Sequence, residues 1–239
     1  MRILITGSRG ILGKELMKIF PNALGPSHET FDITDREQVF EFIKLNNFDI
    51  IIHTAAVTSV RKCEEEKDIS WSTNVQGTKN LVDACLKFSP TIKFLYISTA
   101  CVFDGHNEMY DEYSIPYPEN FYALTKLIGE QHVSKIKNSL IVRTNFVSNS
   151  KWLYPKAFTD RFGTYLFADI VAKGIADVIE NNLTNIVHIV GNKKISMFEL
   201  AKINTSDVLP MTMNDYTGPK LTIDMSLNSK VWKKYNLQS

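Results

Sequence analysis

The stretch Ile3-Leu4-Ile5-Thr6-Gly7-Ser8-Arg9-Gly10-Ile11-Leu12-Gly13 decides the fold. An apolar run passes directly into three glycines spaced three apart, and a helical pattern begins at the last of them. Glycine lets the backbone turn sharply and lets a diphosphate approach it closely. The unpaired N–H groups and positive dipole at the start of the next helix then hold that anion. Glycine spacing alone is also what a structural turn looks like. A strand before it and a helix after it are the context that favours a dinucleotide site. Gly7, Ser8, Arg9, Gly10, Ile11, Leu12 and Gly13 are therefore the first candidate cofactor contacts.

Outward from this loop, strand and helix patterns alternate. Arg2 to Thr6 reads as a strand, Gly13 to Phe20 as a helix, and Asn22 to Gly25 as a short second strand. Asp35 to Leu45 is expected to be helical, with Val39, Phe40 and Ile43 inward. Asp49 to Ala55 is too apolar to have a solvated face and reads as a buried strand. A long helix is expected over Trp71 to Lys87, a strand over Lys93 to Ser98, a helix over Tyr122 to Lys135 and a strand over Ser139 to Arg143. Such alternation predicts an α/β fold, a Rossmann-type doubly wound parallel sheet with a small C-terminal substrate lobe. The expected division is a dinucleotide-binding core over 1–145 and a reduced substrate-binding lobe over 146–239, interwoven with the last core elements.

Composition fits a compact soluble enzyme. The chain has 239 residues, 44% hydrophobic and 22% charged, enough for one large domain with a lobe. Its formal net charge of +1 argues against a nucleic-acid surface. No apolar run approaches the ~20 residues of a membrane span, and the first apolar run, broken by Gly7, Ser8 and Arg9, does not resemble a secretory signal. Cys63, Cys85 and Cys101 lack metal-site spacing, and so do the histidines. No metal is expected, and the cytoplasm is the simplest location. His53, inside an apolar strand, reads as a satisfied core histidine.

Ligands of open α/β sheets bind beyond the carboxyl ends of the strands. The residues to inspect there are the glycine loop, Asp32-Ile33, Ala55-Ala56, Ser98-Thr99 and Arg143 to Asn145. Tyr122 and Lys126 stand four apart on one helix and share a face. An ammonium beside a phenol is expected to lower the tyrosine below its ordinary value of about 10. Such a tyrosine exchanges a proton with a carbonyl or alcohol oxygen near neutral pH, and the Thr99 hydroxyl is placed to bond the same oxygen.

Together, Thr6-Gly7-x-x-Gly10-x-x-Gly13, Asn74 in Asn-Val-Gln-Gly-Thr, Thr99 before Val102-Phe103, and Tyr122-x-x-x-Lys126 resemble an extended short-chain dehydrogenase/reductase. Phe31-Asp-Ile-Thr-Asp-Arg-Glu37, His53-Thr-Ala-Ala-Val-Thr58, Ile97 to Gly105 and Tyr122 to Glu130 narrow the likeness to the dTDP-4-dehydrorhamnose reductase type. The resemblance covers the first 145 residues. It implies reduction of a 4-keto-6-deoxy nucleotide sugar with a nicotinamide cofactor. Tyr122 would give a proton to the C4 oxygen, Thr99 would orient the carbonyl, and Lys126 would tune Tyr122 and hold the nicotinamide ribose. Asp32 and Ile33 would line the adenine, and Ala55, Ala56 and Asn74 would complete the cofactor site. NADPH is favoured over NADH, because no carboxylate follows the second strand until Glu29 and Arg9 suits a 2′-phosphate.

Cys101 stands where bifunctional 3,5-epimerase/4-reductases carry an acid/base cysteine, so epimerisation is an alternative. The bland reading is a small buried thiol. Lys151 and Lys156 are available as a second acid/base but match no motif. Thr58, Val60, Thr99, Arg143 and Asn145 are the candidate substrate contacts, although Arg143 also reads as a salt-bridge partner. The expected partner is a nucleotide-sugar, with no nucleic acid or membrane and with a homodimer left open. A non-catalytic, cofactor-binding regulatory protein is the reading from another class.

Overall fold

The computed structural model describes residues 1–237. The lobe expected over 146–239 therefore ends in residues, 238–239, that lie outside the described residues. Five strands form one parallel sheet: β1 (Ile3–Thr6), β2 (Ile50–His53), β3 (Lys93–Thr99), β4 (Ser139–Thr144) and β5 (Asn185–His188), in that spatial order. Alternate residues of each strand face opposite layers. Ile3, Ile5, Ile50, Ile52, Leu95, Ile97, Leu140 and Val142 pack with α1 (Ile11–Ile19) and α5 (Ala168–Glu180). Leu4, Ile51, Phe94, Tyr96 and Ile141 pack with α2 (Arg36–Leu45), α3 (Thr78–Phe88) and the end of α4 (Phe121–Val133). A strand covered on both faces must be apolar throughout, which is why these segments read as unbroken apolar runs.

The expected second strand is reduced to a single bridge. Leu24 pairs in parallel with Leu4 through Ile5 N–H to Leu24 O and Leu24 N–H to Ile3 O, both 2.8 Å. Pro26, two residues on, has no N–H to extend the ladder. With Leu24 on one side of β1 and β2 on the other, the chain reverses direction across the sheet at this point. The glycine loop and the Ala55-Ala56 segment lie at that switch point, where ligands of such sheets bind.

The long helix expected over Trp71 to Lys87 is broken into a short α-helix (Lys67–Trp71), a π-helical turn (Ser72–Gly77) and α3. Beyond β4, short strand pairs build the lobe: Phe146–Val147 with Leu166–Phe167, Lys156–Phe158 with Leu209–Met211, and Phe162–Gly163 between Ile195–Ser196 and Asp224–Met225. Helix α5 and strand β5 belong to the central sheet layers although they lie within 146–239. No helix among the described residues is long and apolar enough to cross a membrane. No metal-binding cluster of His, Cys, Asp or Glu occurs among them either.

Candidate active site

Two cavities meet along the carboxyl edge of the sheet, sharing Gly10 and Ala56. The outer one, about 380 Å³, is walled by Gly7 to Gly10, by His28, Glu29, Asp32 and Ile33, and by Ala55 to Val57. The inner one, about 520 Å³, runs from Gly10–Gly13 past Thr54, Ala56 and Thr58 to Thr99, Tyr122, Lys126, Thr144 and Asn145. Together they make a groove with a glycine loop at its middle and a tyrosine–lysine pair at its inner end.

Glycine is required at two points of that loop. Gly7 has φ +70°, and a Cβ there would stand 2.7 Å from Ala55 N. A Cβ at Gly13 would run into the Gly7 carbonyl and stand 2.7 Å from Ser8 Cα. The N-cap of α1, Gly10, lends no side chain, and the first turn carries no acidic residue. Its opening N–H groups are therefore left for an anion. A cradle that a methyl would fill, with free donors beside it, fits a dinucleotide diphosphate. Gly13→Ala is expected to weaken NADPH binding about tenfold or more, since overpacking at such contacts costs ~1–3 kcal/mol. Fluorescence titration checks this, and unchanged affinity contradicts the cradle.

At the inner end, Asn120 caps α4 by accepting from Ala123 N at 2.9 Å, and Glu64 Oε1 accepts from Phe121 N at 2.7 Å. This fixes the helix so that Tyr122 and Lys126 both face the groove. Register places Thr144 of β4 beside Thr99 of β3. The expected lowering of the Tyr122 phenol does not appear: burial raises it, and the Thr99 side chain opposes that rise. Lys126 is itself desolvated. Burial pushes Lys126 down to about 7, with Glu130 only partly restoring it, and its Nζ lies 4.0 Å from the centre of the Tyr96 ring.

An unfolded lysine titrates near ~10.4. Between pH 7 and that value the unfolded chain binds more protons than the folded one, so the cofactor-free protein gains stability from Lys126 as pH rises through this window. In Lys126→Met that gain should vanish. Denaturant unfolding of both proteins at pH 7 and pH 10 checks it, and equal pH responses contradict a desolvated lysine.

Several expected contacts are placed otherwise. Arg143 is buried, with Nε 3.0 Å from Glu130 Oε1 and a second nitrogen 2.7 Å from Oε2, so it is an internal ion-pair partner and not a substrate contact. Asn74 is also committed. Its Oδ1 accepts from Val57 N at 2.8 Å, and its Nδ2 donates to Val57 O at 2.9 Å and to Thr125 Oγ1 at 3.0 Å. Through the π-helical turn it positions Val57, a wall residue of the outer cavity, without lining either cavity itself. Val60 opens the short helix Val60–Glu65 and lines neither cavity. The Cys101 thiol is buried and points at Met225 Sδ, 3.5 Å away, outside both cavities. Neither Lys151, paired with Asp207 at 3.8 Å, nor Lys156 lines them.

Other candidate residues do line the two cavities. Asp32 and Ile33 line the outer cavity, and Asp32 also closes a turn by accepting from Thr34 N and Oγ1, both at 2.8 Å. Thr58 and Asn145 line the inner cavity. His53 bridges Thr6 Oγ1 at 2.7 Å and Thr78 Oγ1 at 2.9 Å, a satisfied core histidine that burial lowers to about 3. Arg9 reaches Glu29 at 3.4 Å on the rim of the outer cavity. Thr144, the last residue of β4 and the middle of the span Arg143 to Asn145, also lines the inner cavity, and its buried Oγ1 has no partner.

The family of the RmlD substrate binding domain matches residues 1–213. A dTDP-4-dehydrorhamnose reductase of Aggregatibacter actinomycetemcomitans is 34% identical over 152 residues, 61% of this chain and 51% of that protein. The methionine adenosyltransferase 2 subunit beta of Rattus norvegicus is 34% identical over 150 residues, 58% of this chain and 44% of that one. The chain thus spans about half the length of the relatives it matches by sequence. A dTDP-4-dehydrorhamnose reductase of Bacillus anthracis, solved in complex with NADP, superimposes with a TM-score of 0.86 at 27% identity, covering 95% of this chain and 90% of that one.

Proposed function

Because the chain belongs to the RmlD substrate binding domain family, we propose that it reduces the C4 keto group of a 4-keto-6-deoxy nucleotide sugar with NADPH. One observation carries this reading: Thr99, Tyr122 and Lys126 converge at one end of a groove whose other part is the glycine loop. The names of the relatives and the NADP in the similar solved structure support it.

Gly7 to Gly13 and the start of α1 would hold the diphosphate, Asp32 and Ile33 the adenine end, and Lys126 the inner ribose. The bound dinucleotide supplies the hydride. The Tyr122 hydroxyl gives its proton to the oxygen of the substrate carbonyl, and the Thr99 hydroxyl bonds the same oxygen and orients it. Lys126, four residues along the helix, favours the phenolate left behind once it carries its proton. Arg9 supports NADPH. Its pairing with Glu29 is exposed on both sides, so it is worth little and a phosphate can displace the carboxylate. NADH is the cofactor to test beside it, since Glu29 offers ribose hydroxyls an acceptor. No epimerisation step is assigned to Cys101, whose thiol is turned to Met225.

The test is NADPH oxidation with dTDP- or UDP-linked 4-keto-6-deoxyglucose, with and without an added 3,5-epimerase. Turnover only with the helper is the expected result. Turnover without it, giving an epimerised product, restores Cys101 as an acid/base. Silence in both, with NADPH bound, overturns the reductase and favours a second reading. In that reading the chain is a cofactor-binding subunit, as the likeness to a protein named a subunit of methionine adenosyltransferase suggests.

A further inference from the structure

Arg161 is a buried guanidinium, 9% exposed, in the lobe. Its Nε donates to the Thr222 carbonyl at 2.9 Å, while its two terminal nitrogens meet only thioether sulfurs, those of Met197 and Met225, at 3.2 Å each. Thioethers are weak acceptors. No carboxylate pairs with Arg161 among the described residues, whereas the other buried guanidinium, Arg143, has a two-point partner in Glu130. The neighbouring acid, Asp224, is engaged by Lys194 at 2.5 Å and by Ser226 N at 2.8 Å. A buried charge without a counter-charge is expensive to keep.

Two hydroxyls on the same segments lack partners, one on Tyr165, four residues beyond Arg161, and one on Thr222, whose carbonyl Arg161 bonds. The hydroxyls of Tyr165 and Thr222 are both buried and make no hydrogen bond. Met225 is the residue that joins this cluster to the groove. Its carbonyl accepts from Asn145 Nδ2 at 2.6 Å, its sulfur meets Arg161, and Cys101 Sγ lies 3.5 Å from that sulfur. Asn145 lines the inner cavity. Cys101 N in turn donates to the Thr99 hydroxyl at 3.1 Å, and Thr99 lines the inner cavity, so the cluster adjoins the inner end of the groove.

We propose that Arg161, with the hydroxyls of Tyr165 and Thr222, binds the diphosphate of the nucleotide-sugar substrate in a site that Met225 closes in this structure. The inference rests on the reductase reading for its ligand. A guanidinium matches phosphate oxygens two at a time, and two hydroxyl donors complete the set. Methionine suits the role of a displaceable plug, being unbranched and flexible. It sits in a two-residue strand, Asp224–Met225, where a small shift of the chain would free Arg161.

The experiment is calorimetric titration of UDP, and separately of inorganic pyrophosphate, into protein saturated with NADP⁺ so that the dinucleotide groove is filled. Wild type is expected to bind both. Arg161→Gln should weaken both about tenfold or more, as loss of a charge-assisted hydrogen bond does, and Arg161→Lys should recover part of the loss. Tyr165→Phe and Thr222→Val remove only unpartnered hydroxyls. They should weaken UDP binding without lowering the melting temperature, which separates binding from a failure to fold. Met225→Ala should tighten UDP.

UDP binding that is equal in wild type and Arg161→Gln overturns the site, as does no UDP binding to wild type at millimolar concentration. Keto-sugar turnover is measured alongside. A raised KM in Arg161→Gln supports the site, and turnover with unchanged KM overturns it while leaving the reductase reading intact. Arg161-dependent UDP binding in a wild type that reduces no keto sugar sinks the reductase reading and leaves the site standing.

Discussion

Tyr122→Phe is expected to lower kcat for keto-sugar reduction by about 10²–10⁴-fold, the usual worth of a positioned proton donor. NADPH affinity should stay within about twofold. The two effects separate because the phenol faces the inner cavity, while the cradle proposed for the diphosphate is the loop of Gly7, Gly10 and Gly13 with the start of α1. Removing one hydroxyl leaves the ring and its packing in place, so the fold is not put at risk. Steady-state kinetics and fluorescence titration of the same preparation check both halves. Turnover equal to wild type removes Tyr122 from the mechanism. Loss of NADPH binding along with turnover makes it a cofactor residue first.

Glu130→Ala carries the largest expected effect on stability. It leaves the Arg143 guanidinium buried with no counter-charge, and one of its terminal nitrogens already lacks a partner. Breaking a buried pair from one side costs about 3–5 kcal/mol, which in a chain of this size lowers Tm on the order of 10 °C. The Ser98 hydroxyl, which donates to Glu130 Oε1, loses its acceptor as well. Replacing both charges, as in Glu130→Leu with Arg143→Met, should recover much of the loss, because paired apolar groups need no compensation. Calorimetric melting of the single and double variants tests this. A single variant that melts with wild type contradicts a buried, dependent arginine.

Glu130 also sits one helical turn beyond Lys126 and partly restores its charge. The Arg143–Glu130 pair therefore underlies the tyrosine–lysine end of the groove from within, which is a different part from the substrate contact expected of Arg143. A substitution at Glu130 should also move the pH response of Lys126, while one at Arg9 or Glu29 on the exposed rim should leave it alone.

The alternation of strand and helix was legible because each element announces itself within a few residues. The two-layer cover of the sheet shows as unbroken apolar runs, and the Tyr122–Lys126 spacing follows from helix pitch alone. The second strand is shorter than its apolar residues imply, because Leu24 makes only one bridge before Pro26 ends the ladder. The tyrosine departs from its spacing-based expectation for a different reason: burial raises its phenol. The spacing puts an ammonium near a phenol, but how much water either group keeps depends on everything packed around them.

The same limit applies to Arg143, Asn74 and Cys101. Each has a residue type suited to a ligand, yet each is committed to partners distant in sequence: Glu130, Val57 and Met225. A pattern along the chain cannot say whether a polar side chain faces a groove or another side chain. By itself the sequence determined the parallel α/β sheet, the glycine cradle and the tyrosine–lysine face, because these depend on periodicities of two and 3.6 residues and on the backbone freedom of glycine. Only the tertiary structure decided which charges are satisfied internally and which, like Arg161, are left facing weak acceptors. Pairing is a matter of distance in space, set by packing among segments far apart in the chain.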